Sequence, residues 1–256
     1  MSETSATITT PHGQMPTWIV HPDEGGPFAL VIFYLDALGI REELRDMCRR
    51  IASVGYCVYL PNLYYRAGGP SFDAASLAWG QQDPSMVALN NGLSMAMTVS
   101  DGVALLDHAQ HNAATRMPAA AIGYCMGGRH ALAAAAAFPS LIKAIASLHG
   151  GRLVTDGDDS PHRLIAGIGA EAYFGWAHDD PVAPASHAKT VEAALAARGL
   201  PYRLEWHAGA QHGFTFPERF CYHRAAAERV WSRLFNLFRR TLDAVPSTLE
   251  DEEASL

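Results

Sequence analysis

Gly123-Tyr124-Cys125-Met126-Gly127-Gly128 comes directly after the apolar run Ala119-Ala120-Ala121-Ile122 and directly before an alanine-rich helical stretch, 126–138. A strand, a sharp turn and a helix therefore follow one another with no residues to spare. A turn this tight excludes side chains two residues to either side of its apex, because a Cβ there would strike neighbouring backbone, and glycine is required. The apex residue, Cys125, is held exposed at a helix N-terminus, where the dipole and the unpaired N–H groups favour a thiolate. Cys125 reads as a nucleophile rather than as a small packing residue.

The rest of the chain repeats this alternation. Apolar runs at 17–20, 29–35, 56–60, 118–123, 142–148, 171–177 and 202–207 alternate with helical patterns at 41–53, 94–111, 126–138, 187–199 and 218–241. Such an order predicts an α/β fold, a mostly parallel central sheet with helices on both faces. Pro217-Glu218 reads as the start of the last helix, whose Ala227, Val230, Trp231, Leu234, Leu237 and Phe238 fall on one apolar stripe. Segment 64–97 mixes glycine and proline with methionine and Trp79. It reads as an excursion over the sheet edge, and so as a candidate lid.

Composition narrows the function classes. The 256 residues are 49% hydrophobic and 18% charged, which excludes a disordered chain or a coiled coil. Of the formal net charge of −7, four negative charges are Glu250, Asp251, Glu252 and Glu253, so the body is nearly neutral. The expected division is one domain, 1–245, and an acidic, flexible tail, 246–256. Without clustered Lys or Arg there is little to attract nucleic acid. The longest apolar runs, 28–35 and 131–138, fall short of the ~18 residues a spanning helix needs, and the polar start has no signal-peptide pattern. No membrane partner is expected, and the location expected is cytoplasmic. Cys48, Cys57, Cys125 and Cys221 include no C-x-x-C pair and read as free thiols. With no phosphate-cradling glycine loop and no spaced ligand cluster, neither a cofactor nor a metal is expected. The expected partner is a small molecule, and the assembly a monomer or small homo-oligomer.

A nucleophile in such a sheet predicts an acid and then a histidine, each just past the carboxyl end of a later strand. Asp180 follows Ala172-Tyr173-Phe174-Gly175-Trp176-Ala177, and His212 follows Tyr202-Arg203-Leu204-Glu205-Trp206 across a glycine-containing loop. Asp179 is the rival acid, and His178, His207 and His223 read as surface or packing residues. Asp36 is the fourth candidate, a charge that ends the very apolar run 28–35. Its plainer reading is a cap on the helix that starts near Arg41.

With these residues placed, the sequence resembles the dienelactone hydrolase (carboxymethylenebutenolidase) family of the α/β-hydrolase fold. The likeness rests on the Cys-centred elbow, Pro61-Asn62-Leu63-Tyr64, Asp180-Pro181, His212-Gly213-Phe214 and Tyr222-His223-Arg224-Ala225-Ala226-Ala227. It implies a Cys125–His212–Asp180 triad and an oxyanion hole from the N–H groups of Met126 and Ala37. It also implies an acidic residue, here Asp36 in place of the family's usual Glu, that holds the resting thiol. Members that cleave dienelactones clamp the substrate carboxylate with two arginines. Here segment 67–115 holds no Arg or Lys, and Phe216 stands four residues after His212. The expected substrate is a small ester, enol lactone or thioester other than the carboxylate-bearing dienelactone. A neutral or aromatic acyl group would lie among Tyr34, Tyr64, Trp79, Tyr124, Phe214 and Phe216. The alternatives are a binding module that keeps the fold without turnover, and a redox-sensing thiol protein.

Overall fold

The computed structural model describes residues 1–73 and 82–243. Its strands are β1 (Ser2–Thr10), β2 (Gly13–His21), β3 (Phe28–Tyr34), β4 (Tyr56–Pro61), β5 (Thr115–Tyr124), β6 (Ile142–Leu148), β7 (Glu171–Asp179) and β8 (Tyr202–Gln211). They form one sheet in the order β1-β2-β4-β3-β5-β6-β7-β8. The pairs β1/β2 and β2/β4 are antiparallel, and every pair from β4 to β8 is parallel. Strands covered on both faces should be apolar at consecutive positions rather than at alternate ones. Accordingly all six residues of β4 are buried, as are six of the seven in β3.

The helices are α1 (Glu42–Ala52), α2 (Pro84–Gly92), α3 (Met95–His111), α4 (Gly127–Ala137), α5 (Ala185–Arg198) and α6 (Arg224–Leu242). Helices α3 and α4 pack on each other, while α1 and α6 are joined by the Arg50–Glu228 ion pair and by Arg50 stacked 4.7 Å from the Trp231 ring centroid. The apolar stripe of α6 is buried as its spacing predicts.

Three elements differ from the sequence reading. Strand β1 was not anticipated, because Ser2-Glu3-Thr4-Ser5-Ala6-Thr7 is polar; it is a half-solvated edge strand that buries only Ile8 and Thr10. Helix α2 arises within the supposed excursion, capped by Asp83, whose side chain accepts from the N–H groups of Ser85 (2.7 Å) and Met86 (3.3 Å). Its single buried residue, Met86, leaves almost no apolar periodicity to detect. Helix α6 begins at Arg224, capped by His223 Nδ1, which accepts from Ala226 N–H at 3.2 Å. Pro217-Glu218 belongs to the preceding loop, where Glu218 N–H donates to Glu43 Oε1 at 2.8 Å. Trp79, part of the excursion and the acidic tail lie outside the described residues.

Glu205 fastens α6 to the edge strand β8. Its carboxylate accepts from Arg229 Nε at 2.6 Å, Arg233 Nη2 at 3.2 Å and the Tyr173 hydroxyl at 3.1 Å. Burial alone would raise its pKa, but Arg233 and Arg229 outweigh burial and bring it down to about 2. A carboxylate depressed on folding stabilises the protein above its unfolded pKa, and that contribution is lost as pH falls through the folded value. Both arginines are partly exposed, so solvent screening reduces the gain. Glu205→Gln is expected to lower unfolding free energy by about 2 kcal/mol at pH 7. In urea melts the gap from wild type should narrow as pH falls from about 4.5 towards 2.

Candidate active site

The glycines of the elbow are explained by what surrounds them. A Cβ on Gly123 would fall on the Gly127 carbonyl, one on Gly127 on the Tyr34 and Leu35 carbonyls, and one on Gly128 on the Ser147 hydroxyl. Strand β5 and helix α4 thus meet at backbone contact, and Cys125 between them takes φ 53°, a region that L-residues rarely occupy. Of the four cysteines, only Cys125 is partly exposed.

Cys125, His212 and Asp180 form one hydrogen-bonded line. His212 Nε2 lies 3.1 Å from Cys125 Sγ, and Nδ1 lies 2.8 Å from Asp180 Oδ2. The other Asp180 oxygen, Oδ1, accepts from the N–H groups of Val182 (2.9 Å) and Ala183 (3.0 Å), which fixes the carboxylate in the turn after β7. Asp179, the rival acid, is exposed and pairs with His178 at 3.0 Å. The His212 loop is tied down by Cys221, whose thiol donates to the His212 carbonyl at 3.0 Å.

Burial opposes charge on both members of the Cys125–His212 pair, and their mutual attraction overcomes it. The thiol ends below its ordinary value, through the charge of His212 and the hydrogen bond to it; Asp36 works against this shift and Arg219 supports it. The imidazole rises to about 10, held by the thiolate and by Asp180. Each partner thus favours the charged form of the other, the thiol lowered and the imidazole raised.

Asp36 meets neither of its two expectations. Its oxygens accept from Arg41 Nη1 (2.6 Å), Arg41 Nη2 (3.3 Å) and Arg219 Nη2 (2.9 Å), while Cys125 engages His212. Nor does it cap α1, whose N-cap is Arg41. Arg41 also binds Glu43, through Nε at 2.9 Å and Nη2 at 2.6 Å. The two guanidinium carbons lie 5.1 Å (Arg41) and 5.4 Å (Arg219) from the Phe216 ring centroid. Two acids and two arginines therefore neutralise one another beside the elbow.

Among the described residues, the N–H groups of Met126 and Ala37 donate to no acceptor, as an oxyanion hole requires. Tyr64 stands over this side, its hydroxyl donating to the Ala37 carbonyl at 3.1 Å and lying 3.3 Å from Met126 Sδ. The other described aromatics, Tyr34, Tyr124, Phe214 and Phe216, are at most 2% exposed. Tyr124 stacks on Phe33 at 4.9 Å. Among the described residues, no three His, Cys, Asp or Glu side chains gather as metal ligands would, and no helix is long and apolar enough to cross a membrane.

Two residues at the site escaped the sequence reading. Arg129, 7% exposed, is bound among the described residues by Asn90 of α2, through the carbonyl (3.0 Å) and Oδ1 (2.7 Å), and its Nη1 is buried without a partner there. His149, fully buried, packs edge-on against His212 with centroids 5.1 Å apart.

Parallel strands, a strained strand–turn–helix elbow at Cys125, and an acid and a histidine on later strand ends define the α/β-hydrolase fold class. The model of the Dienelactone hydrolase family matches residues 15–242, and the chain belongs to that family. A Salmonella typhi protein named "Putative carboxymethylenebutenolidase" is 30% identical over 246 residues, 91% of this chain and 87% of that one. A Yersinia pestis protein of the same name is 29% identical over 250 residues, 94% and 89% of the two chains. The crystal structure of a "Putative Dienelactone Hydrolase" from Klebsiella pneumoniae superposes with a TM-score of 0.83 at 24% identity, covering 93% of this chain and 98% of that one. The protein is a hydrolase of ester or lactone bonds, as members of this family are.

The charge state of the pair is directly testable. Iodoacetamide should alkylate Cys125 well below the pH at which an ordinary thiol reacts, because a lowered pKa preserves the thiolate as pH falls. His212→Asn removes both the positive charge and the hydrogen bond and leaves burial, so the midpoint should rise above an ordinary thiol's, about 8.5.

Proposed function

We propose that the protein hydrolyses small esters, enol lactones or thioesters through an acyl-Cys125 intermediate. The observation that carries this reading is the unbroken line from Cys125 through His212 to Asp180. Attack of the thiolate on the carbonyl forms an S–C bond and places the oxyanion on the N–H groups of Met126 and Ala37. The C–O bond to the leaving group (C–S in a thioester) then breaks, and the imidazolium of His212 gives its proton to the departing alkoxide or thiolate. Neutral His212 next takes a proton from water, and the hydroxide attacks the acyl-thioester. Collapse expels the Cys125 thiolate, restoring the pair and releasing the acid. Asp180 holds Nδ1–H throughout and keeps Nε2 aimed at the sulfur.

A thiolate leaves as readily as it attacks, so expulsion of a poor alkoxide competes with return to substrate. Aryl and enol esters are favoured over simple alkyl esters. A neutral or aromatic acyl group suits a site in which Arg41 and Arg219 already have carboxylate partners. The unpaired Nη1 of Arg129 favours a second reading, an acyl group that carries an anion.

Brief mixing with an aryl acetate should give an acetyl adduct by intact mass, with a burst of aryl alcohol. Both should be absent from Cys125→Ala. The aryl ester should turn over at least roughly 100-fold faster than ethyl butyrate. Equal rates would overturn the thiolate partition. No adduct and no alcohol from wild type would leave ligand binding without turnover. Preference for a carboxylate-bearing lactone over its methyl ester, lost in Arg129→Met, would replace the neutral acyl group by the anionic one.

A further inference from the structure

The turn 148–151, at the carboxyl end of β6, touches both halves of the thiol–imidazole pair. Cys125 N–H donates to the Leu148 carbonyl at 3.0 Å, and the Cys125 carbonyl accepts from Gly151 N–H at 3.0 Å. The strained elbow is thus clasped from both sides by one short stretch of backbone. Between the two clasping residues sits His149. It too has a positive φ, 39°, and its own N–H donates to the Gly175 carbonyl at 2.7 Å.

The side chain of His149 points at the other half of the pair. Nε2 and the Thr215 hydroxyl share a hydrogen bond of 2.8 Å, which ties the turn to the loop that carries His212. The ring meets His212 edge-on, its plane tilted 71° at 5.1 Å, and is packed against Phe214 (5.5 Å), Phe216 (5.4 Å) and Tyr124 (6.0 Å). Its Nδ1 is buried without a partner. A non-glycine residue at positive φ is strained, and an unsatisfied buried nitrogen adds to that cost. Packing alone gives no reason to keep a histidine here.

We propose that His149 is a positioning residue: a buried imidazole that keys the nucleophile elbow to the histidine loop, holding His212 against Cys125 through its edge contact and through Thr215. This rests on Cys125 and His212 being nucleophile and base. For the device to work the ring must stay neutral beside an imidazolium. Burial keeps it so, and the positive charges nearest it, on His212 and Arg219, push the same way.

The tests are His149→Phe, which keeps a ring and loses the hydrogen bond, and Thr215→Val, which loses the bond and leaves His149 in place. Each is expected to raise the pH midpoint of Cys125 alkylation, because a loosened His212 stabilises the thiolate less. Each should also lower kcat on an aryl ester about tenfold with KM within about twofold. The double variant should be no worse than the worse single one, since both cut the same link. Thr215→Ser, which keeps the hydroxyl, should restore the midpoint. A purely structural role would lower the melting temperature and leave the alkylation midpoint unchanged in the folded protein. That result, in either His149→Phe or Thr215→Val, overturns the proposal. Should His149→Phe fail to fold, the Thr215 pair decides alone. A wild-type midpoint at an ordinary thiol's value overturns the Cys125–His212 reading as well; a low wild-type midpoint that neither variant moves overturns only the role of His149.

Discussion

The close approach of strand β5 to helix α4 is the constraint on which the rest of the site depends. A Cβ on Gly123 would strike the backbone of Gly127, the neighbouring Gly127 is pressed in turn against the Tyr34 and Leu35 carbonyls, and Cys125 between them takes φ 53°. Such a conformation persists only where the surroundings over-determine it. Here the clasp from Leu148 and Gly151 does so, and it comes from β6, the next strand of the sheet. The sheet's parallel order is therefore what holds the sulfur in place, since the carboxyl ends of β5, β6 and β7 lie side by side.

Charge around the sulfur is arranged unevenly. On one side Asp36, Glu43, Arg41 and Arg219 form a closed set in which each acid has a guanidinium partner. A buried set of this kind contributes little net field while keeping α1 and the loop after His212 in register. On the other side Arg129, among the described residues, is bound by a neutral asparagine. His212 is the group that lowers the Cys125 thiol most, so the thiol's acidity depends on where that ring is held.

Much of this was legible in the sequence, for reasons that differ between residues. The parallel strands declared themselves as continuous apolar runs, and Cys125, Asp180 and His212 by a chain order that the fold demands. β1 and α2 did not, because an edge strand and a surface helix bury too little to leave a period. The proline before Glu218 imitated a helix start that His223 in fact supplies. Asp36 is legible as a charge at the end of an apolar strand, but its partners come from Arg41 and the distant Arg219, and no local pattern records such a meeting.

His149 was within reach of the same rule that found Asp180 and His212. It stands just past the carboxyl end of an apolar run, 142–148, before two glycines. The chain order nucleophile, acid, histidine assigns no role to a residue between nucleophile and acid. The geometry supplies one. A base must be fixed relative to its nucleophile and not merely oriented by its acid, and Asp180 acts on the far nitrogen of the ring, away from the sulfur. A contact from the strand that also clasps Cys125 references both groups to one piece of backbone, so that movement of the histidine loop alone cannot open the pair without breaking the bond to Thr215.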